Sequence, residues 1–225
     1  MGQAIGDVLP LAIGVALSPV PIIAIILMLG TPRARSTGLA FALGWLAGLT
    51  IAGAIMLALA SGNADSSSGG PATWVSVLKL VLGILFLLLA VKQWRGRPQP
   101  GQEPTLPKWM QTIDTFTPGK SLGIGVVLSG LNPKNLALTI AAATVIAQAG
   151  ISHGQEAGVL AVFILLGSLT ILAPLGIYLA LGSKATQILQ GMKTWMSVHN
   201  GAIMTVLLLV LGAKLTGDAI SGFSS

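Results

Sequence analysis

"GLAFALGWLAGLTIAGAIMLALASG", residues 38–62, runs for 25 residues without a charged side chain. A helix needs about 20 apolar residues to cross the hydrocarbon core of a bilayer, so this stretch reads as a transmembrane helix. Working outward, the chain offers six such spans, at 8–30, 38–60, 73–94, 122–149, 158–181 and 198–216. The composition agrees. Of 225 residues, 53% are hydrophobic and 8% are charged, whereas a soluble domain carries roughly a quarter charged residues. The expectation is an all-α, multi-pass integral membrane protein. The first ten residues, "MGQAIGDVLP", have no Lys or Arg, and a secretory signal needs a basic start. The first apolar run is therefore read as a retained helix.

The charges sort by loop. Arg33, Arg35, Lys92, Arg95, Arg97, Lys108, Lys120, Lys184 and Lys193 fall in the first, third and fifth connections. The second and fourth hold only Asp65, His153 and Glu156. Under the positive-inside rule both termini face outward, with Lys214 as the exception near the outer end of the last span. The net charge of +6 is then loop charge that sets orientation, not a nucleic-acid footprint. The absence of cysteine excludes disulfide and thiolate chemistry.

The stretch that opened this reading has a second copy. "GVLAVFILLGSLTILAPLGIYLALG" at 158–182 lies over it at an offset of 120 and matches at Gly38/Gly158, Thr50/Thr170, Ile51/Ile171 and Gly62/Gly182. "TWVSV" at 73–77 returns as "TWMSV" at 194–198, and "GVALS" at 14–18 as "GVVLS" at 125–129. Three spans per copy is an odd number, so the second copy enters the membrane upside down. That is an inverted-topology duplication, an architecture of secondary transporters. It divides the chain into a first three-helix repeat (1–95), a cytoplasmic linker (96–120) and a second, inverted repeat (121–225). Trp74 and Trp195 would lie at opposite interfaces. In the linker, Trp109, Met110, Ile113 and Phe116 recur at helical spacing, which predicts a short amphipathic helix over 107–116. It lies either on the membrane surface or under the helix bundle.

Two spans contain helix breakers. Ser18, Pro19 and Pro21 interrupt the first, and Asn132 and Pro133 interrupt the fourth. Ser and Asn are good N-caps and proline suits the first helical position, so each span reads as broken, at Pro19 and Pro133, with a new helix N-terminus near mid-membrane. Helix N-termini favour anions. Lys134 and Asn135 follow directly. A lysine at the centre of a span costs about 2.5–3.5 kcal/mol, and no Asp or Glu lies inside any of the six spans. Ser18, Pro19, Pro21, Asn132, Pro133, Lys134 and Asn135 are therefore the candidate substrate-binding set, for an anion. The competing readings are a plain proline kink and a lysine that snorkels to the surface. Lys79 is read as snorkelling, and Thr170 and Tyr178 as cavity-lining or packing residues. No nucleophile, base and acid are grouped, no Gly-rich phosphate loop is present, and the two histidines lie far apart. No enzymatic activity, cofactor or metal site is expected.

With "SGLNPKNLALTIAAATVIAQAG" (129–150), "LPKWMQTIDTFTPGKSLGIGVVLS" (106–129) and "PLAIGVALSPVPIIAIILML" (10–29), the chain resembles the GAP family, the sulfolipid-addressing-protein-like branch of the LysE superfamily. The resemblance covers nearly the whole chain. It implies six helices and export across the plasma membrane, in a branch associated with actinobacteria and with cell-envelope glycolipids. The expected function is a transporter or export accessory for an anionic envelope lipid or lipid precursor. The alternatives are an exporter of amino acids or other small metabolites, and a non-transporting scaffold of a lipid-export complex. Expected partners are membrane lipid, the anionic substrate, and a second copy or the lipid-export machinery. A thiol-redox or metal-exporting member would need intramembrane cysteines or carboxylates, which this sequence lacks.

Overall fold

The computed structural model describes residues 1–64, 73–96 and 108–223. Asp65, Arg97 and most of the linker lie outside the described residues, as do the side chains of Trp74 and Lys108. Among the described residues the chain is all-helical, without a strand. Eight α-helices follow in order: α1 (Gly2–Ala16), α2 (Pro19–Leu29), α3 (Ala34–Ala64), α4 (Thr73–Arg95), α5 (Pro118–Val126), α6 (Pro133–Ala147), α7 (His153–Leu181) and α8 (Ala185–Phe223). Among the described residues four helices are long and apolar enough to cross a membrane, and α1 and α2, bent by 54° at their break, are apolar enough to make a fifth if they act as one span. α5 and α6 are joined by a π-helical turn, Val127–Leu131, and by Asn132 in an extended conformation.

Local chemistry explains where the helices begin. Thr117 caps α5 through Lys120 N with Pro118 at the first position. Ser152 and Gln155 close a capping box on α7, satisfying two otherwise orphaned amides. α4 ends on Lys92 and Arg95, which suit the negative end of a helix dipole.

The bundle is stapled along two small-residue seams. α3 lies against α5 and the π turn, where a Cβ on Gly44 would collide with Leu122 O and one on Gly125 with Phe41 O. α4 lies along α8, where Gly83 faces Gly212 O and Thr216. Small residues let backbones approach this closely in lipid, where packing rather than hydrophobicity holds helices together. Gly44→Val should therefore lower the stability of the purified protein by at least the roughly 1–3 kcal/mol of ordinary overpacking, read as an earlier thermal transition in detergent. Phe41, Trp45, Phe86 and Phe163 are fully enclosed at the centre.

Two features differ from the sequence reading in detail. α8 spans 39 residues, and its first turns occupy the stretch read as the fifth loop. Hydropathy falls there, but Ala185, Leu189 and Met196 stay buried at helical spacing, so the helix continues through polar residues. The linker segment forms a 3-10 turn, Lys108–Thr115, instead of an α-helix. Met110, Ile113 and Phe116 are buried in the core cluster, so the turn packs under the bundle, where it meets α2.

Candidate functional site

The break between α1 and α2 follows from which backbone donors are missing. Pro19 and Pro21 have no N–H, so Val15 O and Leu17 O lose their helical partners. Ser18 N turns back to Ala16 O at 2.8 Å, which leaves Gly14 O free as well. Side chains close each of these gaps. The Ser18 hydroxyl donates to Val15 O at 2.7 Å. Thr170 on α7 donates to Ala16 O at 2.5 Å. The Lys134 ammonium donates to Gly14 O at 2.7 Å, Leu17 O at 3.3 Å and Ser18 Oγ at 2.7 Å.

An ammonium has three protons and no acceptor, and here all three have partners. None of the three partners is a carboxylate. The charge is balanced by the carbonyl end of α1, which carries roughly half a negative charge, and by one hydroxyl. Lys134 is 9% exposed, so it is held inside the bundle and does not reach the surface.

The second break uses the same device. In the π turn Leu128 O would look to residue 133, a proline without an N–H. The Asn135 side-chain amide takes that place, donating from Nδ2 to Leu128 O at 3.0 Å. Asn132 Oδ1 accepts from Lys134 N at 3.0 Å, the N-cap that its identity predicted. Ser18 holds the N-cap position of α2 but does not cap it: Pro21, at the third position, has no N–H to offer, and Ser18 Oγ accepts from the Lys134 ammonium instead. Asn135 Oδ1 lies 3.4 Å from Ser18 Oγ, which brings the two breaks side by side. The duplicated "GVALS" and "GVVLS" behave alike, since Ser129 donates to Val126 O at 3.2 Å as Ser18 does to Val15 O. Thr50 and Thr170 do not: Thr50 bonds its own helix at Leu46 O, while Thr170 reaches across to α1.

Ser18, Pro19, Pro21, Asn132 and Lys134 line one cavity of about 160 Å³. Asn135 is fully buried behind it and Pro133 is exposed. Gln93 of α4 and Asn200 and Met204 of α8 complete the wall. Asn200 is visible in the sequence as a polar residue within the last span. Gln93 carries no such signal, since it stands among loop charges. The two helix N-termini are poorer in donors than their number suggests. Of the first three positions of α2, Pro19, Val20 and Pro21, only Val20 has an amide proton. Any anion here would meet the lysine and the amide side chains of Asn132, Gln93 and Asn200 more than backbone N–H groups.

Beside this cavity, α1 and α8 part to leave an apolar groove of about 570 Å³, lined by Pro10, Ile13, Leu17, Ile203, Leu207 and Val210 among others. Its rim faces outward, with Ile13 54% and Val210 61% exposed. Leu17 and Ser18 adjoin in the chain, so the groove and the polar cavity share a border.

No curated protein and no solved structure matches this chain. A family model does, over residues 8–221, the model of Sap, the sulfolipid-1-addressing protein. Both breaks, the Lys134 cluster and the groove fall inside that match, and the chain belongs to the sulfolipid-1-addressing protein family.

Proposed function

We propose that the protein carries, or helps to carry, an anionic envelope lipid or lipid precursor across the plasma membrane. One observation bears most of the weight: an outward-facing apolar groove borders a small polar cavity lined by the buried Lys134. A lipid needs both environments at once. The groove suits an acyl chain and the cavity an anionic head. A water-soluble metabolite would need an enclosed polar pocket and no apolar groove.

In this reading the chain has six spans, with α1–α2 and α5–α6 each forming one broken span. They make two inverted repeats, with both termini outside the cell. Lys134 holds the groove's polar end shut through Gly14, Leu17 and Ser18, and an arriving anion competes for the same ammonium. Transport then exchanges dipole partners for a charged one, with no chemical step and no cofactor. The orientation is checked by an impermeant thiol reagent on the cysteine-free chain. Gln155→Cys should label from outside, and Ser36→Cys and Lys120→Cys only after permeabilisation.

The function is tested by comparing surface lipids of a deletion strain with its parent, then restoring the gene. The native chain should return the missing lipid. Leu207→Trp, which fills the groove without touching Lys134, should insert normally and fail to return it. An unchanged surface lipid profile in the deletion strain would sink the proposal.

A further inference from the structure

The groove has another end. Gln3, Asp7, Pro10 and Gly14 of α1, with Leu17 just past its end, recur at helical spacing, as do Asn200, Ile203, Leu207, Val210 and Lys214 of α8. Both faces line the apolar groove and, beyond it, a second polar cavity of about 450 Å³. In the other direction the α8 face reaches the small polar cavity at the break through Asn200, and Ser18 of that cavity follows Leu17 of the groove. The second polar cavity is walled by Gln3, Asp7, Lys79, Gln148, Lys214 and Asp218, drawn from α1, α4, α8 and the end of α6.

Its charges are not all spent. Lys214 pairs with Asp218 at 2.7 Å. The side chains of Lys79 and Asp7 line the same space and make no hydrogen bond or ion pair among the described residues. Simple snorkelling would carry a lysine toward open water. Lys79 is instead half-buried, facing a carboxylate and two amides across a cavity. An amine for an anion, with Asp7, Gln3 and Gln148 for hydroxyl groups, is the donor and acceptor set that a charged, hydroxylated head group requires.

We infer that the cavity around Lys79 and Lys214 is a second head-group site, which takes the anionic, hydroxyl-bearing head of a lipid whose acyl chain lies in the α1–α8 groove. The inference rests on the lipid reading above and extends it. The head has a polar station at each end of the seam, roughly 16 Å apart along α1 at 1.5 Å per residue, while the tail stays in the groove between them. The path is asymmetric. At the inner station the lysine already has three partners, and at the outer station Lys79 has none among the described residues, so a head group arriving there displaces nothing.

The test uses the full chain in phosphatidylcholine nanodiscs, with Gln148→Cys as the sole thiol and a neutral maleimide as reagent. Doping the discs with phosphatidylinositol, an anionic lipid with a hydroxylated head, should slow modification of the cysteine. Lys79→Gln should weaken that protection about tenfold, as expected for one charge-assisted contact, and Lys79→Arg should retain it. Lack of protection, or equal protection with Lys79→Gln, would overturn the inference. So would equal protection by soluble inositol phosphate in undoped discs, which marks a site for a free anion. Its failure is separable from failure at the break, because modification of Gln148→Cys reads the outer cavity alone, whereas the surface lipids of the deletion strain read export through the break.

Discussion

Lys134→Ala should abolish lipid export and also destabilise the protein. The structure makes the second effect as definite as the first. Removing the ammonium strips the partner from Gly14 O and Leu17 O, and one donor from Ser18. An unsatisfied buried acceptor costs about 1–3 kcal/mol, so the loss is large beside a typical net stability of roughly 5–15 kcal/mol. Lys134→Met, of similar length but without charge, should behave like alanine, because the carbonyls remain bare. Lys134→Arg should insert and fold better than either, yet export poorly. A planar guanidinium cannot converge on three acceptors as a compact ammonium does. Thermal unfolding of the purified variants and complementation of the deletion strain measure the two effects separately. A fully active, fully stable Lys134→Ala protein would remove both the clamp and the anion site.

The sequence reading located the breaks to the residue but did not foresee what holds them. Proline states its own consequences: Pro19, Pro21 and Pro133 announce new helices and carbonyls without partners, and α2 and α6 begin at Pro19 and Pro133. Which side chain reaches those carbonyls is a tertiary matter. Lys134 lies 120 residues from Gly14, and nothing local to either segment reveals the bond. An unpaired lysine in an apolar span invites the thought of an anion. It is equally served by the carbonyl end of a broken helix, and sequence alone cannot separate a half-charge on a carbonyl array from a ligand.

Other parts were legible to different depths for similar reasons. The spacing of Met110, Ile113 and Phe116 announces an apolar face, but what it packs against is set by α2, a neighbour in space that no local pattern names. The end of α3 is legible within a few residues, because the polar stretch at 63–70 follows the apolar run. The start of α8 is not, since its first turns are polar on the outside and keep Leu189 and Met196 inside. A hydropathy window averages over both faces and so cuts such a helix short.

Replacing both prolines of the first break should have the opposite stability effect with the same functional outcome. Pro19→Ala with Pro21→Ala restores two amide protons, at the positions from which Val15 O and Leu17 O can accept them. A helix-interior proline costs about 3 kcal/mol relative to alanine, and the 54° bend loses its cause. α1 and α2 should straighten toward one continuous helix, and the variant should unfold at a higher temperature than the native chain. Straightening takes from Lys134 its Leu17 acceptor and displaces Ser18 from the cavity wall, so the junction between groove and polar cavity closes. Export should then fall at least tenfold in a protein that is more stable and equally abundant. The pairing of outcomes is what discriminates. If the break were only a tolerated kink, the healed helix would be both more stable and fully active, and the Lys134 cluster would be scaffolding. If the break is the working part, stability and export must move apart, because the bonds that would stabilise α1–α2 are the ones its function requires to stay open.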